Sequence, residues 1–563
     1  MRNSFNLFYL IIFLTVKTAY TQQTNINDNI YIIQDSVSIP TRNGIDISAI
    51  IVRKRTNMQP LPVVLFYTTY YQGKTDDYFA KISAEKNYIG IVAYARGIKT
   101  NLKEYAPYEH EATDVYDIID WISKQTWCNG SVGMLGGSYT GYSQWATAKN
   151  IHPALKTIVP QVAVMPGFDM PMENNVPFGN ILGWANDNIY KNKPYDRDLV
   201  FNWFNNGTSF QSLDSLGNHP NPIFLKWLQH PDYDSYWKSM VPTPEEYSKI
   251  NIPILSTTGY YDGSQIGAIQ YFKLHNKYNK DANHYLVIGP YDHWGGQSKP
   301  QKNLMSYEID PVANISMREL AFQWLDYILK DKPKPELLKD KVNYQVMGTN
   351  EWKHAPSLQA INNDTLTFYL DHNILVSKKP KKKNFEKLTI DFKDRTSQNN
   401  YYTPEIIFDT LDASNGLIFK TIPFETDFDI TGSFTGNLFA TINKKDIDIS
   451  MALYELMPDG KYFFLTRYVG RASYAKDNTK RQLLKPNRKE SIPFSNTRFV
   501  SKKINKGSRL VILLNINKHP FEIINYGSGK PVSEETIQDA KEPLQIKWYN
   551  KSFIQIPIWK ANE

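Results

Sequence analysis

Two regimes of hydrophobic patterning divide the chain. In the first, short apolar runs alternate with stretches of helical spacing. Residues 63–68 (VVLFYT) and 88–93 (YIGIVA) are apolar almost throughout, as strands covered on both faces of a parallel sheet are. Between them 77–85 has helical spacing, and 112–123 places Val115, Ile118, Ile119 and Ile122 on one helical face. The run 131–135 (SVGML) predicts another strand, followed by a turn of small residues and a helical stretch over 142–149. Strand, helix, strand in this order argues for an α/β sheet with right-handed crossovers.

From about 165 to 246 that rhythm lapses. Trp184, Trp203, Trp227 and Trp237 stand among Asn, Pro and Asp with helical spacing only in pieces, which predicts an inserted helical cap. The rhythm resumes with a strand over 252–257 (IPILST), a helix over about 267–278, a strand over 284–288 (HYLVI) and a helix over 317–329. After Asp340 alternation dominates, as in 366–370, 450–456 and 509–514, with turn residues between. Such short alternating strands predict an all-β sandwich. The expected division is an α/β domain in two parts, 36–164 and 247–335, split by a cap over 165–246 and followed by a β domain over 341–563. No internal repeat of fixed period is present.

The N-terminus changes the picture of where the protein works. Arg2 precedes an apolar run from Phe5 to Val16, which is shorter than the ~20 helical residues a bilayer requires. It reads as a signal peptide over 1–21, so the chain is expected to be secreted or periplasmic. Cys128 is the only cysteine, so an exported chain has no internal disulfide. With no histidine beside it in the run TWCNG, it reads as a packed structural thiol. A composition of 41% hydrophobic and 21% charged residues is globular and excludes disordered and fibrous classes; the 14% aromatic share points to an aromatic-lined pocket. The net charge of +8 is spread widely, and its densest run, KKPKKK at 378–383, is broken by proline. It reads as a solvated linker or loop rather than a nucleic-acid face.

Candidate chemistry sits where strands end. The strand 131–135 runs into Gly136, Gly137, Ser138, Tyr139, Thr140 and Gly141. Small neighbours tolerate the crowded backbone of a sharp strand-to-helix turn that pushes the serine hydroxyl above the sheet, so this is a nucleophile elbow. Thr140 stands where a second glycine is usual, and Gly141 follows one residue later. A serine hydroxyl needs a base, and in this topology the carboxylate and the histidine follow in the order Ser, Asp, His. Asp262 follows the strand 252–257 and His293 follows the strand 284–288. Ser138 is therefore the expected nucleophile, His293 the general base and Asp262 the residue that orients it. The other histidines precede the serine (His110), abut a proline (His152, His219, His230, His519), lie in a helix (His275), open a strand (His284) or fall in the β region (His354, His372). Asp292, adjacent to the base, is the one close rival to Asp262. The Tyr139 amide is the expected oxyanion donor, and the loop after 63–68 should add a second. Tyr70 there either donates its hydroxyl or only packs. No cofactor and no metal enter this chemistry.

These residues resemble a known family. The run Glu111, Ala112, Thr113, Asp114 to Asp120, Trp121, then Trp127, Cys128, Asn129, Gly130, Val132, Gly133, Gly136, Gly137, Ser138, Tyr139 is similar to that of the cocaine esterase, α-amino acid ester hydrolase and X-prolyl dipeptidyl peptidase family. Gly259, Tyr261, Asp262, Gly263 and Gly289, Pro290, His293, Trp294 match its aspartate and histidine motifs. The resemblance implies an α/β-hydrolase domain with a helical cap, followed by a C-terminal jelly roll, into which Gly432, Asp446, Asp448 and the turn Pro458, Asp459, Gly460 fit. It also implies an oxyanion-hole tyrosine, by position Tyr70. Tyr94 departs from the aspartate usual before Arg96 and Gly97, which bears on local packing rather than on the triad.

The leading reading is an esterase or acylase working through an acyl-enzyme on Ser138. An X-Pro dipeptidyl-peptidase or α-amino acid ester hydrolase is the alternative within the family. A catalytically inactive carbohydrate- or peptide-binding protein is the alternative of another class, against which the intact Ser138, Asp262 and His293 set argues. A small-molecule ester or short peptide is the expected substrate. Neither nucleic acid nor, after signal cleavage, a membrane is an expected partner, and the oligomeric state is open. Family members that require a free α-amino group hold its ammonium with carboxylates, some of them two and three residues after the triad aspartate. Here those positions are the neutral Ser264 and Gln265. Glu173, in the segment 172–175, could supply a single carboxylate, but it reads rather as a solvated loop residue.

Overall fold

A computed structural model describes residues 30–560 except 58, 72, 74, 75, 190–197 and 399–404. The expected signal peptide over 1–21 lies outside the described residues.

The apolar runs assemble into one ten-stranded sheet. Its strands are β1 (Tyr31–Pro40), β2 (Asp46–Lys54), β3 (Leu61–Thr68), β4 (Ile89–Tyr94), β5 (Cys128–Gly137), β6 (Leu155–Gln161), β9 (Ile254–Gly259), β10 (His284–Gly289), β13 (Val342–Val346) and β14 (Glu351–Ala355). Two short hairpins complete the numbering, β7 (Met172–Glu173) with β8 (Val176–Pro177), and β11 (Asn303–Leu304) with β12 (Tyr307–Glu308). The spatial order is β1-β2-β4-β3-β5-β6-β9-β10-β13-β14. From β4 to β13 all neighbours are parallel. Antiparallel pairs close both edges. The helix Glu111–Ser123 buries Val115, Ile118, Ile119 and Ile122, the stripe its spacing predicts. Parallel strands need such crossover helices, and each crossover leaves the next strand's C-terminal end on the same rim.

Between β6 and β9 the chain departs from the sheet into helices at Ile181–Ile189, Leu199–Asn206, Leu213–Leu216, Pro222–Leu228, Ser235–Met240 and Pro244–Lys249. These are the expected cap, and Trp203, Trp227 and Trp237 are buried within it.

The alternating C-terminal half forms an all-β sandwich, beginning with the strand Asp364–Asp371 and ending with Phe553–Trp559. The β domain was expected from 341; the first two strands beyond that point extend the first sheet, since β13 pairs parallel with β10 and β14 pairs with β13. β13 (VNYQV) alternates apolar and polar residues as the sandwich strands do, although all of it is buried, and β14 is a partly exposed edge strand. The basic run at 378–383 is an exposed connection between the sandwich strands Ile374–Val376 and Phe385–Ile390.

One of two large hydrophobic clusters crosses these parts, joining Trp203 and Phe204 of the cap, Leu286 and Ile288 of β10, and Ile512 and Leu513 of the sandwich, while the other packs β1 to β6 with Trp227 and Trp237 of the cap. No described helix is long and apolar enough to cross a membrane.

Candidate active site

At the end of β5 the backbone turns sharply at Ser138, whose φ of +62° lies in the left-handed region. A serine there costs about 1–3 kcal/mol, a strain that surrounding structure must hold. It is held: the Ser138 N–H donates to the Gln161 carbonyl of β6 (3.0 Å), and the Ser138 carbonyl accepts from the Gly141 and Tyr142 N–H groups (both 3.0 Å). The departure at Thr140 also has a reason. A Cβ on Gly136 would lie 2.2 Å from Thr140 Cγ2, and one on Gly141 2.7 Å from the Gln161 carbonyl oxygen. The helix therefore approaches β6 at Gly141, while Thr140 fills the space that Gly136 leaves.

Asp262 lies just past β9 and is fully buried. Its Oδ1 is 2.7 Å from His293 Nδ1 and accepts from the Ser264 N–H (2.9 Å), while its Oδ2 accepts from the Thr258 hydroxyl (2.7 Å). Burial opposes its ionisation, but the His293 charge and these hydrogen bonds prevail and hold its pKa below the ordinary value. For His293 burial disfavours the imidazolium, and the charge and hydrogen bond of Asp262 outweigh it, so its pKa is raised above 6.5. The His293 side chain remains 26% exposed. The rival Asp292 is occupied otherwise: its Oδ1 accepts from the Trp294 (3.1 Å) and Gly295 (2.7 Å) N–H groups and shapes the turn that carries His293. Gln297 donates to the His293 carbonyl (2.9 Å), and its Oε1 stands 2.1 Å from where a Cβ on Gly137 would be. The histidine turn thus abuts the elbow.

The Tyr70 hydroxyl donates toward Ser138 Oγ (3.4 Å) and accepts from the Trp184 indole N–H (3.4 Å), and the Tyr139 backbone also hydrogen-bonds to it. Burial raises the pKa of this phenol, so it remains protonated and able to donate. The two expected oxyanion donors therefore converge beside Ser138. Two residues unmarked as functional in the sequence support them. Trp184, on the cap helix Ile181–Ile189, stacks on Tyr108 (5.6 Å between ring centres) and packs against Tyr139 and Trp227. Glu111, buried under the elbow, accepts from the Tyr139 hydroxyl and from the Tyr108 (2.9 Å) and His110 (3.0 Å) N–H groups. Burial pushes its carboxyl up to about 7 against those hydrogen bonds. The cap's tryptophan content was a signal for the first; nothing in the spacing marks the second.

Other expectations fare unequally. Cys128 is a buried free thiol whose pKa burial raises, consistent with a packing role. Tyr94 is fully buried and donates to Asp76 (2.6 Å), so the position packs without an aspartate. Glu173 is not solvated: it is fully buried on β7, 2.5 Å from the Arg498 guanidinium of the β sandwich. Backbone folds it inward because the β7–β8 hairpin docks on the sandwich, where Asn174 donates to the Val469 (2.8 Å) and Asn496 (3.1 Å) carbonyls.

A parallel sheet with a strained serine elbow and a buried Asp–His pair on the same rim has the architecture of α/β-hydrolase serine hydrolases, and the chain is one. Residues 43–295 match the X-Pro dipeptidyl-peptidase (S15 family) domain and residues 338–520 match the X-Pro dipeptidyl-peptidase C-terminal non-catalytic domain. The protein belongs to this S15 family, together with cocaine esterases. It is 24% identical over 497 residues to the cocaine esterase of Rhodococcus sp. (strain MB1 Bresler), covering 79% of this chain and 84% of that protein. The fold is shared with an aminopeptidase from a marine sediment Thaumarchaeota archaeon (TM-score 0.81, 20% identity, 94% of this chain and 97% of that one). It is shared too with an α-amino acid ester hydrolase (TM-score 0.79, 20% identity, 96% and 99%).

Proposed function

We propose that the protein is an exported esterase or acylase that cleaves acyl bonds through an acyl-enzyme on Ser138. The observation that carries the reading is the His293–Asp262 pair at 2.7 Å on the rim where Tyr70 meets Ser138 Oγ. His293 Nε2 takes the hydroxyl proton as Ser138 Oγ attacks the acyl carbon, and Asp262 holds the Nδ1–H tautomer and stabilises the imidazolium. The Tyr70 hydroxyl and the Tyr139 N–H receive the charge developing on the carbonyl oxygen. His293 then protonates the leaving group, and water, activated by the same base, releases the acid. No cofactor or metal takes part. Trp184, partly exposed and hydrogen-bonded to the Tyr70 hydroxyl, supplies an aromatic surface suited to an apolar acyl or leaving group, with the buried Tyr108 and Trp227 packed behind it. Export is supported by the N-terminal apolar run.

The test is labelling of the full chain with a fluorophosphonate, with the adduct located by mass spectrometry. Wild type is expected to be labelled on Ser138, and Ser138→Ala to be unlabelled, folded and slower by several orders of magnitude. Retention of more than about a tenth of the activity would remove Ser138 from the centre, since loss of a nucleophile costs far more.

A further inference from the structure

The loop carrying Asp262 is gripped from the β sandwich. Arg498 immediately precedes the sandwich strand Phe499–Ile504, and its own carbonyl accepts from the Thr466 hydroxyl (2.9 Å). Its buried guanidinium donates to the Asp262 carbonyl (2.5 Å) through one nitrogen, and through the other to the Gly263 carbonyl (3.1 Å) and to Glu173 (2.5 Å). Beside it, Gln265 and Phe499 form a reciprocal pair: Phe499 N–H donates to Gln265 Oε1 (2.6 Å) and Gln265 Nε2 donates to the Phe499 carbonyl (2.8 Å). The Tyr261 hydroxyl donates to the Phe464 carbonyl (2.9 Å). Every residue from Tyr261 to Gln265 except Ser264 thus contacts the sandwich, and the Ser264 N–H is held by the Asp262 carboxylate instead.

We infer that Arg498 is a positioning residue of the catalytic centre: the β sandwich uses it to fix the backbone that aims the Asp262 carboxylate at His293, and Glu173 of the cap holds its guanidinium in place. The inference rests on the hydrolase reading above. Two parallel donors on a rigid planar group fix a peptide orientation as one ammonium cannot. A loop freed by even about 1 Å takes the carboxylate off the histidine, and such misplacement costs up to about a hundredfold in rate.

A merely structural role predicts something different, because a buried ion pair replaced on both sides by neutral residues is often tolerated, whereas removal of one partner is not. Arg498→Met alone should lower both Tm and kcat. Glu173→Gln with Arg498→Met should recover most of the Tm while kcat stays about tenfold to a hundredfold low and KM within about twofold. Recovery of kcat together with Tm would overturn the inference, leaving Arg498 a charge partner for Glu173. Arg498→Lys, which keeps the charge and the fold, should also lose about tenfold in kcat; wild-type kcat would overturn the inference independently. In an Asp262→Asn background the Arg498→Lys loss should shrink to less than about twofold, since residues acting as a unit are not additive. A further full tenfold loss would show an action outside Asp262. Fluorophosphonate labelling of wild type separates the failures: no label on Ser138 sinks the hydrolase reading, whereas normal labelling with unimpaired Arg498 variants sinks this inference alone.

Discussion

At Tyr70 one hydroxyl decides between a catalytic part and a wall. The phenol is kept protonated by burial and lies beside Ser138 Oγ and the Tyr139 amide, where a tetrahedral oxyanion would form. Tyr70→Phe should lose about 10² to 10³ in kcat with little change in ground-state binding, as expected for one preorganised donor; steady-state kinetics showing a change in KM alone would make Tyr70 a pocket wall. The proposed triad predicts a pH dependence. His293 must be neutral to accept a proton, and the Asp262 charge raises its pKa, so activity should fall as pH drops through a value above 6.5. Asp262→Asn removes the charge that raises it. The remaining activity, on the order of 10⁴-fold lower, should therefore have its acid limb at lower pH. The profile of kcat/KM against pH reports both; a flat profile down to about pH 4 would contradict a histidine base.

Among the elements, what was legible was whatever depends on position along a strand. The places of Ser138, Asp262 and His293, the proposed triad, follow from three strand ends, because a parallel sheet puts all those ends on one rim, and the apolar runs at 131–135, 252–257 and 284–288 locate them. The β13–β14 pair was not legible, since an edge strand of one sheet and a strand of the next share a period of two, and pairing partners are a tertiary matter. The shift of the elbow's second glycine to Gly141 was visible, but not its reason, which depends on how the helix Tyr139–Thr147 lies on β6. That close approach predicts a cost. Gly141→Ala places a methyl 2.7 Å from the Gln161 carbonyl oxygen and 2.9 Å from Ala163 Cα, so it should destabilise by about 1–3 kcal/mol. Gly263→Ala meets nothing within 4 Å and should be near neutral in the same urea or thermal unfolding measurement.

In the whole molecule, α/β domain, cap and sandwich meet at the loop of Asp262, and here the sequence alone misleads. Glu173 reads as a loop residue in water; the structure buries it opposite Arg498, which stands 325 positions along the chain. No local pattern announces such a contact, because it exists only once the β7–β8 hairpin docks on the sandwich. The consequence concerns charge. A substrate ammonium entering a partly dry pocket loses hydration worth several kcal/mol, and needs a carboxylate with charge to spare. Among the three positions considered for that task, Ser264 and Gln265 are neutral, and Gln265 is committed to the Gly259, Tyr260 and Phe499 backbone. The Glu173 charge is matched by a guanidinium at 2.5 Å. The site should therefore prefer esters with a neutral acyl group over amino-acid esters and N-terminal dipeptides. The comparison that checks this is kcat/KM for a phenylacetyl ester against its α-amino counterpart at a pH where the amine is protonated. The neutral ester is expected to be favoured. A preference of about tenfold or more for the amino compound, about 1.4 kcal/mol in transition-state binding, would mean that Glu173 turns from Arg498 to the substrate, and would place the enzyme with the amino-acid ester hydrolases or dipeptidyl peptidases of its family.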